Sequence, residues 1–402
     1  MFLNFKMSNY RSIGEELCID FSIRDSQKLG AYAEVNGQAV NNIACLVGPN
    51  ASGKSNILKG IVHFLNWAHK SYSSSIYRCA GFMTHLSPFG SHIMFSTEFI
   101  DNEKQYRYEI FIQDEIAQKE NLLKRDETTK RYSYIFNREP GNNISFGKGV
   151  KVNKQDLNRL GDEISLLSLM LELNYFEKND FLLLRTFHTN VFPESIYVHQ
   201  YPDGKYNVIS QKLQNDKILL DELIEELKNI DTGIFSLELK KGKKKDKTKD
   251  TVENIRESEL STIFAKHKTT NNDFSLPLQE ESDGTLHYIE TFIYLFQVLQ
   301  NGSLFIIDEL EQSLHPDLTA RIISRFMNKD KNPNNAQLLF TTHNPWFLQD
   351  LTKTQIFITE KNNEAQTEIT RLDEIAGVRN DENYFMKYII GEYDGHPKIK
   401  EA

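Results

Sequence analysis

Eight consecutive residues carry the clearest chemistry in the chain: Gly48-Pro49-Asn50-Ala51-Ser52-Gly53-Lys54-Ser55, a G-x-x-x-x-G-K-[ST] run. Gly48 and Gly53 permit a tight backbone path, so that successive N–H groups turn inward on an anion. Lys54 is then placed to reach the β- and γ-phosphates of a nucleotide, and the Ser55 hydroxyl to ligate Mg²⁺. Asn56 follows in the first helical turn and completes the candidate binding set. A second run, "SLFIIDELEQSLHP", ends four apolar residues in Asp308-Glu309. Asp308 suits a Mg²⁺ ion held through its water shell, and Glu309 would stand beside the γ-phosphate as base or orienter for attacking water. A third, "AQLLFTTHNPWFL", ends an apolar strand at Thr341-Thr342-His343, where a neutral imidazole would hydrogen-bond the γ-phosphate or that water. The fourth is "QEESDGTLHYIE", residues 279–290. Ser282, Gly284 and the start of the following helix offer donors to an anion. Glu280, Glu281 and Asp283 are expected to point away or to meet a partner's cations. Alone, this last stretch reads equally well as a solvated loop.

These residues need elements to hold them. The apolar stretch 43–47 enters the glycine-rich loop as a strand, and Ile57, Leu58, Ile61 and Phe64 leave it at helical spacing. Strands are also expected at "FLNFKM", "LCIDFSI", "HIMFSTEFI", "YRYEIFIQ" and "RYSYIFN", giving a strand-rich opening. From about residue 150, Leu157, Leu160, Ile164, Leu167 and Leu171 recur at helical spacing, as do Leu220, Leu223, Ile224 and Leu227, and both sets are read as core-facing helices. The lysine-rich run 240–250 cannot bury itself and is read as a solvated loop. From Phe274 the pattern alternates strand and helix, with Leu286, Ile289, Ile293, Phe296 and Leu299 facing inward.

Composition narrows the classes. Apolar residues make up 39% and charged residues 26% of the 402, ordinary for a globular chain of that length. A net charge of -9 disfavours nucleic acid except at a local basic patch. The three cysteines form neither a zinc spacing nor a disulfide framework, which fits a reducing, cytoplasmic setting. No signal peptide or membrane span is read. "NKQD", 153–156, matches the guanine-reading N-K-x-D motif, but no D-x-x-G precedes it after the glycine-rich loop, and it is taken as coincidence.

In order, the glycine-rich loop, "ESDGT" with its helix, "IIDELEQSLHP" and "FTTHNP" resemble the ABC/SMC-type ATPase heads. The implied fold is α/β: a P-loop NTPase with a mixed-sheet core, an antiparallel β lobe and a helical insertion. The implied layout is 1–148 and 271–402 as two parts of one ATPase head, with 149–270 as a mainly helical insertion. "NYRSI" resembles the N-[FY]-R-S opening of SMC, RecF and OLD-type ATPases, where the arginine approaches the nucleotide, so Arg11 joins the candidates. "YFMKYIIGEYDGHPKI", 384–399, is similar to the tails of compact bacterial ATPases of the abortive-infection and anti-phage type. The signature departs from the L-S-G-G-Q form. No glutamine is assigned to the Q-loop, although Gln105 and Gln113 lie in the right broad region.

The resemblance implies ATP and Mg²⁺ as ligands, with Lys54, Glu309 and His343 catalytic. It implies a homodimer in which the signature loop of each copy faces the other's nucleotide. It also implies a separate effector, such as a nuclease or RloB-like protein, and a trigger of DNA or phage origin. A RecF-like DNA-repair ATPase is the alternative. An intrinsic OLD-type nuclease is not expected, because roughly sixty residues follow His343, short for a further domain, and they lack a D-x-D pair.

Overall fold

The computed structural model describes residues 1–24, 30–79, 82, 92–177, 179–191, 202–230, 232–241, 261–270, 272–393 and 395. The chain divides into two compact units, one of Met1–Phe192, Val298–Glu311 and Ala320–Ala402, the other of Pro193–Gln297 and Gln312–Thr319.

The first unit contains a six-stranded sheet in the order β12 (Phe187–Thr189), β16 (Leu304–Ile307), β17 (Gln337–Thr342), β6 (Ile43–Val47), β18 (Ile356–Lys361), β19 (Thr367–Arg371). The first five strands are parallel, and β19 closes the sheet antiparallel to β18. β6, β16 and β17 are buried at every position, as expected for parallel strands covered on both faces. Their registers, Ile307 beside Phe340 and Thr342 beside Val47, bring the carboxyl ends of all three to one edge.

A seven-stranded antiparallel sheet forms the lobe, in the order β11 (Asn143–Phe146), β10 (Tyr132–Glu139), β9 (Ile116–Arg125), β8 (Lys104–Gln113), β7 (Ile93–Asp101), β1 (Phe2–Ser8), β2 (Leu17–Asp20). A small sheet pairs β3 (Ser22–Ile23), β5 (Gln38–Asn41) and β4 (Tyr32–Val35). The helix Lys54–Lys70 shares one core with both large sheets: Leu46, Ile306 and Leu339 from the parallel sheet, and Phe95, Tyr108 and Phe136 from the lobe. Phe64 of this helix stacks on Phe95 at 5.5 Å and on Tyr108 at 5.4 Å. The loop preceding the helix is thereby held by a shared apolar core, beyond its own hydrogen bonds.

Two expectations in this unit need correction. The apolar spacing from Leu157 to Leu171 does not make one helix. Short helices Lys154–Leu157 and Leu166–Glu172 are separated by turns that carry Leu160 and Ile164. Ser165 caps the second by accepting from the Ser168 N–H, and Glu120 accepts from the Leu166 and Leu167 N–H groups, so the helix restarts there. β9 escaped the strand reading because Glu120 occupies one of its inward positions and breaks the apolar alternation.

The second unit pairs helices Pro202–Asn215 and Lys217–Lys228 with an antiparallel sheet in the order β13 (Ile234–Lys241), β14 (Ser261–His267), β15 (Phe274–Pro277). Leu219, Leu223 and Leu227 are the buried leucines of the second helix, with Leu220 and Ile224 half-buried. The insertion expected to be mainly helical thus also carries strands. Most of the lysine-rich run, from residue 242, lies outside the described residues, as do 394 and 396–399 of the tail, which begins with the helix Tyr384–Ile389. Among the described residues no helix is long and apolar enough to cross a membrane.

Candidate nucleotide site

The glycine-rich loop leaves β6 at the sheet's carboxyl edge. Ala51 (φ 63°) and Gly53 (φ 110°) take left-handed backbone, which turns the chain into the helix that starts at Lys54. A Cβ at Gly48 would overlap the Thr359 carbonyl oxygen and hydroxyl, and one at Gly53 would overlap the Thr367 hydroxyl. The two glycines therefore answer to a floor made by β18 and β19. Hydrogen bonds fix that floor: Ser52 Oγ shares a proton with Thr359 Oγ1 at 2.8 Å, and Thr367 Oγ1 donates to the Ser52 carbonyl at 2.8 Å. The buried Lys54 ammonium donates to the carbonyls of Gly48 at 2.8 Å and Pro49 at 3.1 Å. Burial pulls its pKa down, and Asp308, Glu309 and Glu311 push it back up. Pro49 and Asn50 form the rest of the rim, and Ser55 is half-buried in the first turn.

Because β17 lies between β6 and β16, the tips of β16 and β17 are neighbours, and they are tied together beyond the sheet. Thr341 Oγ1 donates to Asp308 Oδ1 at 2.6 Å and accepts from the Glu309 N–H at 2.8 Å. The Leu310 N–H donates to the Thr341 carbonyl at 3.1 Å. Glu309 is held at φ 52°, a backbone position that a residue with a side chain rarely adopts. His343 Nε2 lies 3.4 Å from Glu309 Oε1, so the imidazole and the candidate base face each other. Asn190, just past β12, exchanges two hydrogen bonds with the Asp308 backbone, at 2.8 and 2.9 Å.

Arg11 stands in a loop that packs on the same floor. It has left-handed backbone (φ 52°), and its guanidinium donates to the Tyr10 hydroxyl at 2.9 Å. The adjacent Ser12 bonds Thr367 Oγ1 at 2.8 Å and accepts from the Asn56 amide at 2.9 Å. The Asn56 side chain is thus used inside the loop assembly.

Ser282 and Gly284 belong to the second unit. Ser282 Oγ accepts from the Thr285 N–H at 3.2 Å and shares a proton with the Thr285 hydroxyl at 2.8 Å, which makes it the cap of the helix Asp283–Asn301. A Cβ at Gly284 would come within 3.0 Å of the Ser313 carbonyl, so this glycine answers to close backbone packing. Glu281 does not reach outward: its carboxylate meets His267 Nε2 at 2.6 Å, and that ring stacks on Phe274. In the helix itself Ile289, Ile293 and Leu299 are buried, and Leu286 and Phe296 half-buried.

Two other sequence candidates are accounted for locally. Asn153 caps a four-residue helix and Asp156 accepts from the Tyr175 hydroxyl, so "NKQD" is spent on its own turn. Gln105 is buried on β8 in a network with Glu98, Tyr132 and Arg125, while Gln113 ends the same strand half-buried.

The chain is similar to known proteins over most of its length. Residues 43–348, three quarters of its length, match the family described as "AAA domain, putative AbiEii toxin, Type IV TA system". The chain belongs to that AAA-domain family. The matched span of the AAA domain runs from β6 through the His343 loop and so includes the glycine-rich loop, both strand tips and "ESDGT". The Septu protein PtuA of Bacillus mycoides (strain KBAB4) is 28% identical over 131 residues, which is 31% of this chain and 18% of that protein. The chain thus matches less than a fifth of that relative's length. An SMC head domain from Thermotoga maritima aligns with 92% of this chain and 98% of its own, at 14% identity and a TM-score of 0.38.

The AAA domain's acidic edge fits a hydrated Mg²⁺ ion. Asp308 stands half-buried just past β16, with one carboxylate oxygen, Oδ1, engaged by Thr341. No group of three or more His, Cys, Asp or Glu among the described residues is arranged as a protein-only metal cage. Mg²⁺ commonly takes one or two carboxylates plus substrate phosphates and waters. Asn190, Glu311, Thr359 and Thr367 were not singled out as site residues by sequence reasoning. Of these, Glu311 alone left a trace there, as the next acid after Asp308-Glu309.

Proposed function

We propose that this AAA-domain chain is a Mg²⁺-dependent ATPase that acts as a dimeric switch in anti-phage defence and controls a separate effector. The observation that carries the hydrolytic reading is the convergence at one sheet edge of Lys54, Asp308, Glu309 and His343, with Glu309 and His343 3.4 Å apart. In this reading the loop N–H groups and Lys54 bind the β- and γ-phosphates, and Ser55 and Asp308 hold Mg²⁺. The bound ion supplies neutralisation of charge on the transferring phosphoryl group. Glu309 accepts a proton from the attacking water, and His343 holds that water or the γ-phosphate in line. Arg11 borders the nucleotide from its loop on the P-loop floor.

The dimer rests on the signature stretch. Ser282 is exposed at a helix start, a place suited to an anion. Ser282 and Gly284 would act on the nucleotide of a second copy, and loss of the γ-phosphate would remove a contact that both copies share. The family description and the partial likeness to a Septu protein favour the defence setting over DNA repair.

Mixing two dead variants tests the scheme. Ser282→Arg should bind ATP without hydrolysing it, and Lys54→Ala should do neither. A mixture should recover part of the wild-type rate, because one composite site is intact. No recovery, with both variants folded, would remove the shared-site dimer from the proposal. Tight, ATP-stimulated, salt-sensitive duplex binding by the protein alone would favour the repair alternative.

A further inference from the structure

We propose that Glu311 is a positioning residue for His343; this rests on the reading of Glu309 and His343 given above. The parallel ladder between β16 and β17 ends at Ile307 and Phe340, and the His343 N–H lies one residue beyond the end of β17 at Thr342. A backbone donor at a strand end turns to water unless something accepts it. Here Glu311 Oε1 accepts it at 2.6 Å. A closed ring results. The Glu309 carboxylate faces the His343 imidazole, the His343 backbone is held by Glu311, and two peptide units return from Glu311 to Glu309.

The ring sets the separation between candidate base and histidine from both sides. Thr341 fixes the approach of β17 through its hydroxyl and carbonyl, but all three bonds precede His343. The bond from Glu311 reaches the backbone of the histidine itself. Glu311 Oε2 is buried without a partner, and the charge lies in the field of the Lys54 ammonium, which eases the burial. The side chain therefore acts through its accepting oxygen. A glutamine, which retains one carbonyl oxygen of the same reach, should serve, while an alanine should not.

Two measurements test this. Exchange of the His343 backbone amide should be slow in the wild type, at least about tenfold faster in Glu311→Ala, and slow again in Glu311→Gln. Fast exchange in the wild type would overturn the proposal whatever the protein's activity. In steady-state hydrolysis Glu311→Ala should lower kcat about tenfold or more while leaving the KM for ATP within about twofold, and Glu311→Gln should restore most of the rate. The double variant Glu311→Ala/His343→Ala should be no slower than His343→Ala alone, since the two act as a unit. Additive losses, or a glutamine variant as slow as alanine in a folded protein, would overturn the role of Glu311 and leave that of His343 standing. A wild-type rate in His343→Ala would overturn both.

Discussion

The antiparallel lobe buries an acid completely, the carboxyl edge of the parallel sheet leaves three partly exposed, and the two regions treat them differently. On β9 the fully buried Glu120 accepts from five donors: the Tyr108 and Ser165 hydroxyls, the Leu166 and Leu167 N–H groups, and the Arg138 guanidinium, itself fully buried. At the sheet edge, Asp308 Oδ1 takes the Thr341 hydroxyl, Glu309 faces one imidazole, and Glu311 has one oxygen engaged and one without a partner. A carboxylate offers about four acceptor positions. Glu120 has spent them on the fold, joining two strands and the start of a helix. The edge acids retain most of theirs, beside a lysine whose charge burial disfavours. Saturation ties Glu120 to the fold, and unspent capacity leaves Asp308 and Glu309 able to meet the ligand proposed above.

Substitutions can break that contrast. The largest effect is expected from Lys54→Ala, which should reduce ATP hydrolysis to background and abolish nucleotide binding by calorimetry. Glu120→Ala comes next and should act on stability: the Arg138 charge would be left buried and unpaired, at a cost of about 3–5 kcal/mol in denaturant unfolding. Glu309→Gln should leave stability nearly unchanged and lower hydrolysis by about a hundredfold. ATP should still bind, and a nucleotide-trapped dimer should accumulate in sedimentation. If Glu309→Gln destabilised the fold as much as Glu120→Ala, the division between the two regions would fail.

The smallest effect concerns the helix between them. Burial holds His63 neutral and lowers its pKa from 6.5 to about 4. Acidification through 6.5 therefore protonates the unfolded chain first, and stability falls as pH drops towards 4. Between pH 7 and 5.5 this amounts to roughly 1 kcal/mol by linkage. A His63→Phe variant should lose that part of the slope in urea midpoints measured across the range.

The same contrast explains what could be read in advance. β6, β16 and β17 were legible because unbroken apolar runs end abruptly in chemical residues, and the glycine-rich loop because its spacing is itself the mechanism. β9 was hidden by the residue that matters most to it, since Glu120 looks solvent-facing until Arg138 is beside it. The run from Leu157 to Leu171 misled because apolar periodicity does not register the capping bonds that restart a helix at Ser165. Thr359, Thr367 and Asn190 were illegible for a different reason. The partners that tie them to the site lie more than a hundred residues away, and nothing local distinguishes them from other polar residues.

Thr359 and Thr367 have a consequence for how the chain comes into being. Their bonds to Ser52 close over sequence separations of 307 and 315 residues. At synthesis rates of about 5–20 residues per second, the floor leaves the ribosome roughly fifteen to sixty seconds after the loop it supports. The AAA-domain match ends at residue 348, before either threonine. A nascent or trimmed chain that stops there has the whole phosphate-loop motif without the surface that shapes it. Nucleotide binding should therefore arise late in synthesis, once the C-terminal strands have paired beside β6.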